Sequence, residues 1–374
     1  MRSSSPAPIS KAAPVGDADW QIRSDEWLQK YQKMAPFRSA KSRADWPLIL
    51  TGHGVSLRVE RDTLLIKNGF THYPQQQEVL RFFPGALTLP SRIIFLECSG
   101  SISFEVLAWL QKQKVELLHL NWQGDVVATT TSAGYSGQPE KMEWQWTLRN
   151  NSSARQAFCR SLIHRKIQNS LSNLEFMNFE SWDWGNACAF LKNALWTLDK
   201  RPPQTIEELL GLEGNCAAMY FRAWRSVTLA WRISSRRFIP ANWGGYDQRS
   251  SMATTRGNAK ATHPINAILN YAYRVKESDL LVRCLAEGFD PRIGILHEIK
   301  EGRNSFLCDL IELERAGVDL KVFEFVRTTA FEVSDFVVGP DGVVRLNPQM
   351  ARYIAGLISK GAVRDVADIL QLDG

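Results

Sequence analysis

The 374-residue chain lacks most of the features that would place it quickly. It has no apolar run near the roughly 18 residues that a membrane-spanning helix needs, and its mean hydropathy is -0.23. The expectation is a protein with no membrane association. Residues 1–15 are rich in Ser, Pro and Ala without the apolar stretch of a secretory signal, so a cytoplasmic location is expected. The six cysteines (Cys98, Cys159, Cys188, Cys216, Cys284 and Cys308) include no CxxC pair, which argues against a zinc site or a disulfide framework and leaves buried thiols. No internal repeat is visible. Also missing are GxxxxGK followed by Ser or Thr, GxGxxG after a strand, HExxH and GxSxG, which removes most weight from nucleotide-binding and triad-hydrolase classes.

Charge is present but mild, with 45 Lys plus Arg against 39 Asp plus Glu. It matters only where it is concentrated. Between residues 222 and 262, Arg222, Arg225, Arg232, Arg236, Arg237, Arg249, Arg256 and Lys260 face a single acid, Asp247. Such a window suits a phosphate backbone.

Length alone suggests more than one domain, and the texture divides the chain. Residues 1–45 form an extension, partly disordered, with Trp20, Trp27, Tyr31 and Phe37 marking a helix over 19–41. From 46 to 131, short β-rich runs follow one another (LILT, VSLRV, TLLI, IIFLE, ELLHL, VVAT), with one helix opened by Ser103. Residues 132–150, beginning with the Gly, Ser and Pro-rich SAGYSGQPEKME, read as a linker.

Helical spacing then runs from 151 to 374. Cys159, Ile163, Ile167, Leu171 and Leu174 make one stripe that leaves Arg160, His164, Arg165 and Lys166 largely outside it. Thr205 and Glu208 fit a capping box on a short helix that Gly211 interrupts, and a longer helix follows with Cys216, Tyr220, Ala223, Val227 and Ala230 inward. Pro264 opens a helix, residues 336–346 suggest a hairpin, and a last helix follows. The expected class is α+β, a β-sandwich-like N-terminal domain followed by a larger all-α domain.

Four residues stand out for chemistry. Glu213 lies three residues before Cys216, so a continuous helix would turn it toward the core, where a carboxylate needs a partner or a metal. Asp309 and Glu312 share one helix face beside Phe306, Leu310 and Leu313, and a divalent cation would relieve their repulsion. His297 follows the apolar run 293–296. An imidazole with two or three carboxylates makes a mixed N/O site suited to Mn²⁺ and tolerant of Mg²⁺. Taken singly each has a plainer use: a helix N-terminal acid, a solvated acidic face, a structural histidine.

Three ordered blocks change that weighting: LLGLEGNCAAMYFRAW (209–224), HPINAILNYAYRV (263–275) and GFDPRIGILHEIKEGRNSFLCDLIELERAGVD (288–319). Together they resemble the CRISPR-associated integrase and endonuclease family, Cas-one, over roughly residues 46–360. The resemblance implies a metal set at Glu213, His297, Asp309 and Glu312, and a homodimer built largely through the β domain. It further implies association with the small Cas-two subunit, and DNA as substrate. The chemistry it implies is attack of a prespacer 3′-hydroxyl on a phosphodiester at a CRISPR repeat, with Mg²⁺ or Mn²⁺ as cofactor. On this picture Arg222, Arg225, Arg236, Arg237, Arg249, Arg256 and Lys260 hold DNA. The chain departs from the family pattern in its long, Gly-rich segment Ile239–Thr262, in Ala316 where a proline is usual, and in glutamate rather than aspartate at 312.

Two other readings compete. A transposon-borne casposase would perform the same transesterification and typically carries an added C-terminal DNA-binding module, for which only about 14 residues remain here. A nonenzymatic DNA-binding scaffold would have lost part of the acid and histidine set, which this sequence retains.

Overall fold

The computed structural model describes residues 17–34, 47–121, 126–130, 138–234, 239–250, 261–360 and 365–371. Its N-terminal half centres on two long strands, β1 (Leu48–Glu60) and β4 (Arg92–Ile102), paired in parallel. With β2 (Thr63–Lys67), β3 (Val79–Phe82), β5 (Glu116–Leu120) and β6 (Val126–Thr130) they form one mixed sheet in the order β3-β2-β1-β4-β5-β6. The parallel β4–β5 pair is joined by the helix α2 (Phe104–Lys112).

The runs LILT and VSLRV, read as separate strands, are one strand. The chain bends through Gly52 (φ +85°), where a Cβ would stand 2.4 Å from the Phe70 carbonyl oxygen, and the β1–β4 register slips at Thr51/Gly52 and His53/Val55. Only glycine fits such a bulge. The two arms of the sheet close on a shared cluster, with Leu50, Ile93, Phe95 and Leu117 from one arm, Leu57, Leu64 and Ile66 from the other, and Val106, Trp109 and Leu110 from α2. The expected sandwich-like domain therefore has its two layers made by one continuous sheet. The edge strand β3 was not legible beforehand.

Along the inner arm the alternate residues Ile49, Ile94, Leu96, Leu118 and Leu120 point to the opposite face and join the helical core. Burial on both faces explains the near-continuous apolar text of these strands. The division at residue 131 is thus one of secondary structure, since a single core spans both sides.

The helical part comprises α3 (Pro139–Asn150), α4 (Ser152–Met177), α5 (Trp182–Lys200), α6 (Ile206–Ala223), α7 (Pro264–Ala286), α8 (Ser305–Thr328), α9 (Pro348–Ser359) and α10 (Val366–Leu370). A two-stranded hairpin, Phe336–Val338 with Val344–Leu346, appears where expected. Two readings need correction. The helix over 206–223 passes straight through Gly211, because burial of Leu209, Cys216 and Tyr220 outweighs the roughly 1 kcal/mol cost of an internal glycine. That helix also stops at Ala223 rather than continuing to Ala230. The stretch taken as a linker carries α3 over 139–150, while 131–137 lie outside the described residues.

The N-terminal extension contributes α1 (Asp17–Met34), whose Arg23 and Trp27 are fully buried. Arg23 donates to both oxygens of Asp335 (2.9 and 2.6 Å), and Trp27 donates to the same carboxylate. The helix is therefore part of the core. Residues 1–16 and 35–46, including the region expected to be disordered, are not described. Among the described residues no helix is long and apolar enough to cross a membrane.

Candidate functional site

Two of the side chains singled out in the sequence meet where α4, α6 and α8 come together. Glu213 on α6 and Glu312 on α8 contact the same ammonium group, Lys166 Nζ of α4. Arg315, one turn further along α8, approaches Glu312 Oε2 at 3.1 Å. Burial by itself would raise the Glu312 carboxyl, but Lys166 and Arg315 outweigh it and hold the group below its ordinary value. Glu312 Oε2 is buried and makes no hydrogen bond, although these two cations adjoin it. The oxygen is neutralised without being coordinated in good geometry.

Asp309 occupies a different environment one turn away. It is fully buried and its oxygens accept from the backbone N–H groups of Ile295 (2.5 Å), Leu296 (3.1 Å) and His297 (3.0 Å). Its Oδ1 also lies 2.7 Å from His297 Nδ1. A carboxylate can only accept, so Nδ1 carries a proton and Nε2 is the ring nitrogen left for another partner. Asp309, expected as a metal ligand, meets these donors in the structure. It fixes the backbone and tautomer of His297, the arrangement commonly found behind a metal-binding histidine.

The loop that carries His297 is braced by α3 and α4. Gln145, fully buried, donates to the carbonyls of Asp290 (3.0 Å) and Ile293 (3.2 Å). Arg149 donates to those of Gly294 (2.5 Å) and His297 (3.2 Å), and Arg155 to that of Ile295 (2.7 Å). Gly294 permits the close fit against α8, since a Cβ there would stand 2.6 Å from that of Ser305. The supposed linker thus supplies Gln145 and Arg149 to the site.

Glu213 and Glu312 line a cleft of about 570 Å³ whose walls also carry Lys166, Arg222, Arg225, Arg249 and Arg315. Arg222 is held by Asp183 at 2.7 Å, and Arg225 by Asp247 at 2.9 Å. Arg249 stacks over Tyr273 at 5.2 Å and Phe221 at 5.6 Å. Its position is set by α7, where Asn266 donates to the Gln248 carbonyl (2.8 Å) and Asn270 to that of Ser250 (3.1 Å). Tyr273 is buried and donates to Asp319. Arg232 turns away to Glu26 and Glu332. The expected DNA-binding residues Arg236, Arg237, Arg256 and Lys260 lie outside the described residues.

Sequence reading missed Lys166, Gln145, Arg149, Asn266 and Asn270. For Lys166 a signal existed: it follows Ile163 by three and Cys159 by seven, which puts it at the edge of the buried stripe.

The donor set of two carboxylates and one imidazole nitrogen suits a hard to borderline divalent cation. The buried, hydrogen-bond-free Oε2 of Glu312 and the ammonium between Glu213 and Glu312 both mark a place built for positive charge. As the side chains stand, no three His, Cys, Asp or Glu among the described residues form a cage for an ion. The space between the two glutamates is taken by Lys166.

A mixed β unit joined to a helical unit, with two glutamates in a cleft otherwise lined by arginines, suits a ligand that carries negative charge. Residues 48–359 match the family model for CRISPR associated protein Cas1, and the chain belongs to that family. A CRISPR-associated endonuclease Cas1 from Leptospira interrogans is 27% identical over 189 residues, covering 50% of this chain and 65% of that protein, just under two thirds of its length. Among solved structures, a casposase bound to its integration product has a TM-score of 0.71 at 25% identity, covering 87% of this chain and 88% of that one. The fold is shared by a chain of a Cas6-RT-Cas1–Cas2 complex, with TM-score 0.60 and 16% identity over 87% of this chain and 33% of that one.

Proposed function

We propose that the protein is a metal-dependent DNA integrase and endonuclease of CRISPR adaptation, joining prespacer 3′-hydroxyl ends to a repeat by transesterification. The observation that carries this reading is the pairing of two unlike parts. One is a histidine whose Nδ1 is committed to buried Asp309; the other is a pair of glutamates from separate helices that share one cation. Family membership and relatives named as endonucleases support it.

Glu213, Glu312 and His297 Nε2 are the groups that would hold Mg²⁺ or Mn²⁺. Once bound, the ion would make the attacking hydroxyl or water more acidic and offset charge building on the phosphorus. Asp309 keeps the imidazole in the productive tautomer. Lys166 neutralises the two glutamates and is placed to move onto a phosphate oxygen when they turn to an ion. Arg222, Arg225 and Arg249 bind the flanking phosphates and set the strand's direction across the cleft. No protein nucleophile is needed, and water in place of the hydroxyl gives hydrolysis at the same site.

The wider reading is a cytoplasmic homodimer that works with Cas2. Residues 46–131 would act as the dimerisation unit and 151–374 as the catalytic one, with 132–150 connecting them. The exposed Phe83 and Leu87 after β3, Ile102 at the end of β4 and Phe104 at the start of α2 suit burial against a second copy.

The deciding experiment offers a labelled duplex with 3′-hydroxyl ends to the protein, with and without Cas2, together with a repeat-bearing plasmid and Mn²⁺. Joined product is expected from the wild type and at least about 100-fold less from His297→Ala; equal joining by the variant would sink this reading. The likeness to a casposase keeps one alternative in view. A plasmid whose target carries transposon ends instead of a repeat separates the two, since a casposase-like enzyme would prefer it.

A further inference from the structure

Beside the cleft, one large aromatic side chain is left in solvent on a rigid base. Trp182 is the first residue of α5 and is 74% exposed. The turn before it is fixed: Asn178 and Glu180 adopt left-handed backbone angles (φ 42° and 52°), the Ser181 side chain caps the helix at Trp184 N, and Ser226 donates to the Ser181 hydroxyl at 3.1 Å. A tryptophan held this firmly yet unburied gives up a large hydrophobic gain.

The surroundings give the exposure a use. The guanidinium of Arg222 lies 5.5 Å from the Trp182 ring, and neighbouring Asp183 holds Arg222 at 2.7 Å and Arg225 at 3.8 Å. Those arginines line the cleft that contains Glu213 and Glu312. An indole beside phosphate-binding cations reproduces the two components of single-strand recognition, a stacking surface with backbone charges next to it. Within a duplex the bases are stacked on each other and offer no free face to such a ring, whereas an unpaired nucleotide does.

We propose that Trp182 is a stacking platform for one unpaired nucleobase of the DNA strand entering the cleft, with Arg222 and Arg225 taking the adjoining phosphates. It is a positioning residue that sets how far the strand reaches toward Glu213 and Glu312. The inference rests on the reading of the protein as a DNA-joining enzyme.

The test uses the full chain and a labelled duplex with a single-stranded 3′ overhang, in a set of substrates that each carry one abasic nucleotide at a different overhang position. Binding is measured by fluorescence anisotropy for the wild type, Trp182→Ala and Trp182→Phe. At one or two positions the abasic substrate should bind the wild type roughly tenfold more weakly. At those positions Trp182→Ala should add nothing further, while elsewhere the two losses should multiply; Trp182→Phe should keep most of the affinity. Wild-type affinity in Trp182→Ala, or losses that multiply at every position, would overturn the platform while leaving the enzyme reading intact. Failure of the wild type to bind any of these DNAs would instead remove the functional reading on which it depends.

Discussion

The shelf that presents His297 and the floor of the cleft one helical turn away are built by opposite means. On the shelf, Asp309 is enclosed by three backbone N–H groups and the imidazole, and Gln145, Arg149 and Arg155 hold the loop's carbonyls. On the floor, Glu213 and Glu312 are held mainly by Lys166 and Arg315, long side chains with several rotatable bonds. Two acids three residues apart on one helix thus have different uses. In the proposed reading, one is enclosed so that a histidine is held in place, and the other is neutralised so that it can exchange one cation for another. A site needing a fixed nitrogen and adaptable oxygens is served by that division.

The largest expected effects fall on this contrast. Glu312→Gln should lower DNA joining at least about 100-fold, with a stability loss smaller than that of the shelf variant because Lys166 keeps Glu213 as a partner. Asp309→Ala should lower joining about 10- to 100-fold and also cost about 3 kcal/mol or more in urea unfolding, because buried N–H groups lose their acceptor. Equal stability losses in the two variants would erase the distinction between shelf and floor.

A smaller effect should follow from Lys166→Met. With the ammonium gone, Glu213 and Glu312 repel each other in the free protein, so Mn²⁺ should raise Tm more than in the wild type. A smaller rise would show that Lys166 supports the binding of an ion instead of competing with it.

The smallest effect concerns Asp319, beneath the floor. Burial raises its carboxyl from 3.8 to about 6, against the opposing pull of Tyr273, Arg315 and Arg249. The native state then binds this proton more tightly than the unfolded chain does. The cost of ionising Asp319 is absent below pH 3.8, grows between 3.8 and about 6, and is complete above that. Relative to the wild type, Asp319→Asn should gain stability across that window, on the order of 1 kcal/mol once the altered bond to Tyr273 is counted. Urea titrations at both ends of the window measure the change, and a gap that stays constant with pH would assign the variant's effect to packing alone.

Much of this was legible in the sequence for definite reasons. The stripes at steps of three and four located α4 and α8, Pro264 marked the start of α7, and short β-rich runs located most strands. Gly211 misled because local breakers act before tertiary packing is known, and the burial of Leu209, Cys216 and Tyr220 decides the matter. The Gly, Ser and Pro content of 132–139 hid α3, whose value lies in contacts with a loop nearly 150 residues later. The acid pair was read as one unit because spacing reports which helix face a side chain takes, not which backbone donors meet it there.

By itself, the sequence determined which residues could carry chemistry and in what order: a glutamate, a histidine, then an acid pair, each inside a recognisable block. Those properties follow from side-chain type and from helix and strand periodicity, which are local. Tertiary structure decided which partners each of the four meets. Lys166 reaches Glu213 from 47 residues away, and Asp309 receives the N–H groups of a segment 12 to 14 residues earlier. A carboxylate's role depends on which donors surround it, and those donors are brought together only by packing.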